Sequence, residues 1–145
     1  MQNDIERKIA VIFETDAVSF SKLMEKNEEE TLRSFRSCRE ILNNLFKEHG
    51  GRIFNTAGDS VLAEFPSAVS AVICAKEFQN LVHERNQNVL PEAQMSFRIG
   101  INMGDVIVEG EKWRISKESL AYHKLETTVP SSLIFYKKEE KLVID

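Results

Sequence analysis

Residues 54–65 read FNTAGDSVLAEF, two apolar runs on either side of Ala57-Gly58 with Asp59 at the tip. Asp and Gly are the residues that tight hairpin turns ask for on backbone grounds alone. The stretch therefore predicts a β-hairpin. It leaves two explanations for its carboxylate: turn chemistry only, or a ligand held at the edge of a sheet.

On the N-terminal side, residues 8–15, KIAVIFET, form a compact apolar run rich in Ile, Val and Phe. Length and composition predict a buried strand, ending in Glu14-Thr15-Asp16. Residues 17–27 carry Val18, Phe20, Leu23 and Met24 at helical spacing. Asn27 followed by Glu28-Glu29-Glu30 is an N-cap with acidic residues in the first turn, suited to the helix dipole. The helix it opens is expected to reach about His49. Leu32, Phe35, Cys38, Ile41, Leu42, Leu45 and Phe46 form its apolar stripe, and Gly50-Gly51 ends it.

Strands are then expected at 52–56 and 60–65, and a helix from 68 to about 85 behind Pro66-Ser67. Ala71, Val72, Cys74, Ala75, Phe78, Leu81 and Val82 line its inner side. A polar loop, 86–94, leads to 95–103 and 105–109, which read as a strand pair turning around Gly104. The order predicts an α+β fold, a mainly antiparallel sheet with helices packed on one face. Such a sheet sets the end of the first strand beside the hairpin, so that Asp16 and Asp59 meet. Beyond Gly110 the pattern changes. Residues 111–118 are charged, 120–125 suggest one or two helical turns, 127–132 a loop and 133–136 a short strand. The charge run at 137–141 reads as a solvated face.

A chain of 145 residues fits one domain. A net charge of −4 supplies no overall positive field to attract nucleic acid. The two cysteines, Cys38 and Cys74, read as buried free thiols, not a disulfide framework. No apolar run approaches the roughly 20 residues that span a bilayer, and MQNDIERK has no signal-peptide core. A cytoplasmic protein is expected.

Two carboxylates brought together repel, and a cation offsets that repulsion. Mg²⁺ takes oxygen ligands, commonly one or two carboxylates completed by water and substrate phosphates. AVSFS, after Asp16, places backbone N–H groups at a helix start, where phosphates bind. Among other candidates, His49 reads as a capping or surface residue, and no His/Cys cluster has zinc spacing. Asp105 reads as structural. Glu14 is expected to point away from Asp16 in a regular strand.

The ordered set Asp16-x-x-x-Phe-Ser-x-Leu-Met, His49-Gly-Gly-Arg-Ile, the Gly58-Asp59 hairpin, Glu64-Phe-Pro-Ser-Ala and Gly100-Ile-Asn-x-Gly-Asp-Val closely resembles the class III adenylyl/guanylyl cyclase homology domain, bacterial type. The likeness covers residues 8–110. It implies a ferredoxin-like cyclase-homology fold with a core at 1–110 and a divergent segment of the same domain at 111–145. It also implies that Asp16 and Asp59 bind two metal ions, Mg²⁺ or Mn²⁺, with the Ala17 carbonyl as a further ligand. The backbone of Val18, Ser19, Phe20 and Ser21 would hold the triphosphate of ATP or a related nucleotide. Cyclases of this class are dimers whose sites take metal and triphosphate from one chain and base and transition-state contacts from the other.

That second half departs from the family pattern. Asn55 stands where a base-reading Lys is usual. Leu120 falls at the position of the ribose-fixing Asn and Lys124 at that of the catalytic Arg, a charge without the planar fork. Trp113 lies near the base-reading Asp. No Asn follows Asn102, and the last Arg is Arg114. Losing one transition-state donor commonly costs about 100–1000-fold in rate. The expectation is a nucleotide- and metal-binding cyclase-like domain with weak or no activity as a homodimer. The alternatives are an active adenylate cyclase using Asn55, Lys124 and Trp113 or a heterodimeric cyclase-type partner, and a structural interaction domain that binds no ligand.

Overall fold

The computed structural model describes residues 5–109, 112–115, 136–138 and 141–144, with side-chain surroundings through residue 108. The first apolar run becomes β1, Ile5–Ala17, longer than expected at both ends. It is followed by α1 (Phe20–Lys26), α2 (Glu28–His49), β2 (Arg52–Ala57), β3 (Ser60–Phe65) and α3 (Ala68–Gln87). A 3-10 turn at Pro91–Ala93 precedes β4 (Phe97–Glu109), and β5 (Lys112–Ile115), β6 (Tyr136–Lys138) and β7 (Lys141–Ile144) complete the described elements.

The strands order as β2-β3-β1-β4-β7-β6, with β5 also paired to β4, and every described pairing is antiparallel. This is the α+β architecture expected from the element order. Alternation along β1 sends Val11, Phe13 and Ala17 into the core under the helices, and Ala10 and Ile12 to the opposite face with Val106. Phe13, Phe46 and Phe65 meet at centroid separations of 5.3, 5.4 and 5.6 Å, joining β1, α2 and β3. Each such aromatic pair adds about 0.5–1.5 kcal/mol beyond its buried area.

The helix ends follow local chemistry. The Asn27 side chain accepts from the Glu30 N–H at 3.1 Å, and Ser67 accepts from the Ser70 N–H at 3.1 Å. Gly50 closes α2 at φ +78°, a left-handed conformation that suits glycine. Cys38 and Cys74 are buried free thiols.

Gly104 is not a turn. β4 runs unbroken through it, with Gly104 opposite Ala10 in a ladder that extends from Ala17↔Phe97 to Ile5↔Glu109. Pairing with a thirteen-residue partner holds the glycine extended, and the reversal comes after Glu109, where β5 folds back on β4. The expected charge run is also divided. Lys137 and Lys138 belong to β6, while Lys141 opens β7, which pairs with β4. The expected helical turns at 120–125 and loop at 127–132 lie outside the described residues. So do Leu120 and Lys124.

Candidate functional site

β3 lies beside β1 in the register Val11↔Phe65 to Thr15↔Val61. The two-residue loop after Ala57↔Ser60 therefore falls next to the end of β1. Gly58 takes φ +57° there and leaves Asp59 facing β1. Asp59 Oδ2 accepts a hydrogen bond from the Ala17 N–H at 2.9 Å. The hairpin carboxylate is thus tied to the residue after Asp16, and the charges of the two aspartates act on each other.

Asp16 points to the face away from the helices. Directly opposite it in β4 stands Arg98. Arg98 donates from Nε to Asp16 Oδ1 at 2.8 Å and from Nη2 to Oδ2 at 3.0 Å, a two-pronged, charge-assisted contact. Both side chains are 33% exposed. Even so, the Asp16 carboxyl is held above its usual range. Burial is the largest cause, the Arg98 hydrogen bonds and charge pull the other way, and the charges of Asp59 and Glu14 add to the rise. Desolvation outweighs the ion pair, as it often does for partly buried pairs.

Glu14 corrects an expectation. Residues two apart on a strand share a face. β1 is regular here, with Glu14↔Gly100 and Asp16↔Arg98 in register, so Glu14 lies on the Asp16 side and its charge reaches Asp16.

The loop after Asp16 is partly committed already. The Val18 N–H donates to the Ser96 carbonyl at 2.8 Å, and the Leu23 N–H begins the α1 ladder by donating to Ser19. The N–H groups of Phe20, Ser21 and Lys22 are the first-turn donors that lack an acceptor within the helix itself, as at any helix start. Ser19 sits at φ +56°, ψ +33°, left-handed for a residue with a side chain. Helix α3 steadies the approach to Arg98. Gln79 Nε2 donates to the Phe97 carbonyl at 2.9 Å, and Asn86 exchanges two hydrogen bonds with the Met95 backbone.

Asn55 is apart from this cluster. It lies exposed on β2, the edge strand, just after a bulge between Ile53 and Asn55. Asp105 sits in the middle of β4 opposite Ile9. His49 does more than end a helix: its Nε2 hydrogen-bonds Glu77 Oε2 at 2.8 Å and pins α2 to α3. A groove bounded by Lys8, Ile9, Glu64, Pro66 and Met103 includes neither aspartate.

Arg98 was not singled out in the sequence. Its signal is the alternation in FRIGIN, where Phe97, Ile99 and Ile101 go to the core and Arg98 must take the other face. That face is also the one carrying Asp16.

No family model matches the chain. A protein of Rhizobium meliloti (strain 1021) named "Putative adenylate cyclase 3" is 38% identical over 109 residues, 74% of this chain and 19% of that protein. The crystal structure of an adenylate/guanylate cyclase/hydrolase from Silicibacter pomeroyi superposes with a TM-score of 0.68 at 33% identity, over 78% of this chain and 66% of that one. This chain is a cyclase-homology domain of the class III adenylyl/guanylyl cyclase family. The domain is also similar to the guanylyl cyclase Cya2, with a TM-score of 0.67 and 26% identity over 83% of this chain and 68% of that one. It spans about a fifth of the length of its curated cyclase relative. Among the described residues, no helix is long and apolar enough to cross a membrane.

Proposed function

We propose that this domain binds a nucleoside triphosphate, ATP favoured, together with Mg²⁺ or Mn²⁺ at Asp16 and Asp59. We further propose that as a homodimer in the cytoplasm it has weak or no cyclase activity. The observation that carries the reading is the Asp59 carboxylate held on the N–H of Ala17, the residue after Asp16, with the charges of the two aspartates acting on each other. An all-oxygen donor set of two aspartates, with the Ala17 carbonyl as a third ligand, suits a hard divalent cation.

In this reading the metal would neutralise charge on the phosphates and on the attacking ribose oxygen. Asp16 and Asp59 hold it. The N–H groups of the first turn of α1, with Ser19 and Ser21, receive the triphosphate. Asn55, exposed on the edge strand, reads the base of a nucleotide held by another chain. Lys124 is the remaining candidate for charge on the α-phosphate. Asn55, Leu120 and Lys124 at the positions where the family pattern has Lys, Asn and Arg support low turnover.

The likeness to a protein named as an adenylate cyclase favours a second reading. In it the domain is an active adenylate cyclase that obtains the missing contacts from a heterodimeric cyclase-type partner. Calorimetry of ATP with Mn²⁺ or EDTA, on the wild type and on Asp16→Ala/Asp59→Ala, tests the first reading. Metal-dependent binding lost in the double variant, without cyclic AMP, is the expected result. Cyclic AMP from the chain alone would overturn the low-activity claim, and cyclic AMP only on mixing with a complete cyclase would favour the second reading.

A further inference from the structure

We propose that Arg98 is a positioning residue that acts as the built-in counter-cation of Asp16, so that a divalent metal gains Asp16 only by displacing the guanidinium. The proposal rests on the metal-binding reading above. Both oxygens of Asp16 are engaged by one planar fork, at 2.8 and 3.0 Å. Asp59 Oδ2 already accepts the Ala17 N–H. A metal arriving at Asp16 therefore meets a cation in its place, and the two cannot share the carboxylate without strong repulsion at contact distance.

The guanidinium is well placed to stay. Asp16 and Arg98 are direct cross-strand partners, so no loop has to order for them to meet. The backbone leading to Arg98 is fixed by Gln79 and Asn86. The charges of Asp59 and Glu14 press on Asp16, and the Arg98 guanidinium offsets part of that repulsion. Removing it leaves Asp16 without the cation that now engages both of its oxygens, and with the charge of Asp59 still acting on it. The metal-free domain is thus satisfied internally, and free metal binds more weakly than two adjacent aspartates would allow.

The test is Mn²⁺ binding without nucleotide, followed by calorimetry and by the loss of the free-ion electron paramagnetic resonance signal. It is run on the wild type, Arg98→Gln, Arg98→Lys and Asp16→Asn/Asp59→Asn. A hydrogen-bonded charge pair of this kind is expected to hold the metal back about 10–100-fold. Arg98→Gln should tighten Mn²⁺ binding by that order while lowering the metal-free melting temperature. Arg98→Lys keeps the charge without the fork and should fall between the two; it carries the test if the glutamine variant does not fold. Unchanged or weaker Mn²⁺ binding in the folded variants would overturn the proposal and make Arg98 a structural partner only. If no variant binds Mn²⁺ with or without ATP, the metal-binding reading falls as well. If wild type binds and the Arg98 variants match it, only the counter-cation role falls.

Discussion

Asp59 does two separable things, and two substitutions tell them apart. Its Oδ2 accepts the N–H of Ala17, a residue only 3% exposed, and its charge bears on Asp16. Asp59→Ala removes the acceptor and leaves a buried N–H unpaired, at a cost of about 1–3 kcal/mol. Loss of the repulsion with Asp16 returns part of that. For a chain of this size the remaining cost corresponds to a fall of about 3–8 °C in melting temperature. Asp59→Asn keeps a carbonyl oxygen for Ala17 and turns an amide N–H₂ instead of a negative charge toward Asp16. Its melting temperature in EDTA should stay within about 2 °C of wild type. With saturating Mn²⁺ and ATP the wild type should melt higher, by about 2.7 kcal/mol of added stability at 100 times the dissociation constant, and neither variant should follow. Thermal unfolding by circular dichroism in the two buffers reads all of this. If the alanine variant is as stable as wild type in EDTA, the Ala17 hydrogen bond contributes nothing. If asparagine falls as far as alanine, the charge and not the acceptor ties the hairpin to β1. A Mn²⁺ and ATP shift retained in Asp59→Asn would remove Asp59 from the ligand set.

Gly51 should be intolerant for reasons of space and Gly50 for reasons of conformation. A Cβ at Gly51 would lie 2.7 Å from Phe65 Cζ and 2.9 Å from Phe46 Cδ1. Gly51→Ala therefore overpacks the three-ring cluster at a cost of about 1–3 kcal/mol, whereas Gly50→Ala pays about 1–2 kcal/mol for φ +78° alone. Denaturant midpoints check both, and shaving Phe65 to Leu should ease the first and not the second. The cysteines should be inert while the domain is folded. Burial first, then the Glu77 and Glu48 charges, push the Cys74 thiol up to about 12, and burial raises Cys38 against a partial offset from Arg85. At pH 8 only about one Cys74 in 10⁴ is thiolate. A disulfide reagent should label neither cysteine in buffer and both in denaturant, and fast labelling of native protein would contradict the burial.

Local chemistry carried most of the fold. Asn27 with its three glutamates, Gly50 behind His49, Ser67 behind Pro66 and the Gly58-Asp59 loop each appear where their residue types place them. These signals act within a turn of chain, and a sequence displays them directly. The meeting of Asp16 with Asp59 was also legible, because an antiparallel sheet of this order leaves the hairpin few other places to go.

Two of the three positions misread or missed depend on strand pairing across long separations. Gly104 has the composition of a turn, and the ladder with β1, in which it stands opposite Ala10, 94 positions earlier, keeps it extended. Arg98 sits 82 positions from Asp16 and carries no local mark of a site residue. Glu14 needed only the two-residue period of a strand, applied once β1 was assigned. The three share one remedy. With β1 and β4 written antiparallel around Asp16↔Arg98, alternation alone puts Glu14, Asp16 and Arg98 on one face and Phe13, Thr15, Phe97 and Ile99 on the other. Asp16 and the guanidinium that engages it then follow from a single register. Shifting that register by one residue would send Phe97 and Ile99 out to the solvent-side face, so the packing that buries them also fixes Arg98 on Asp16.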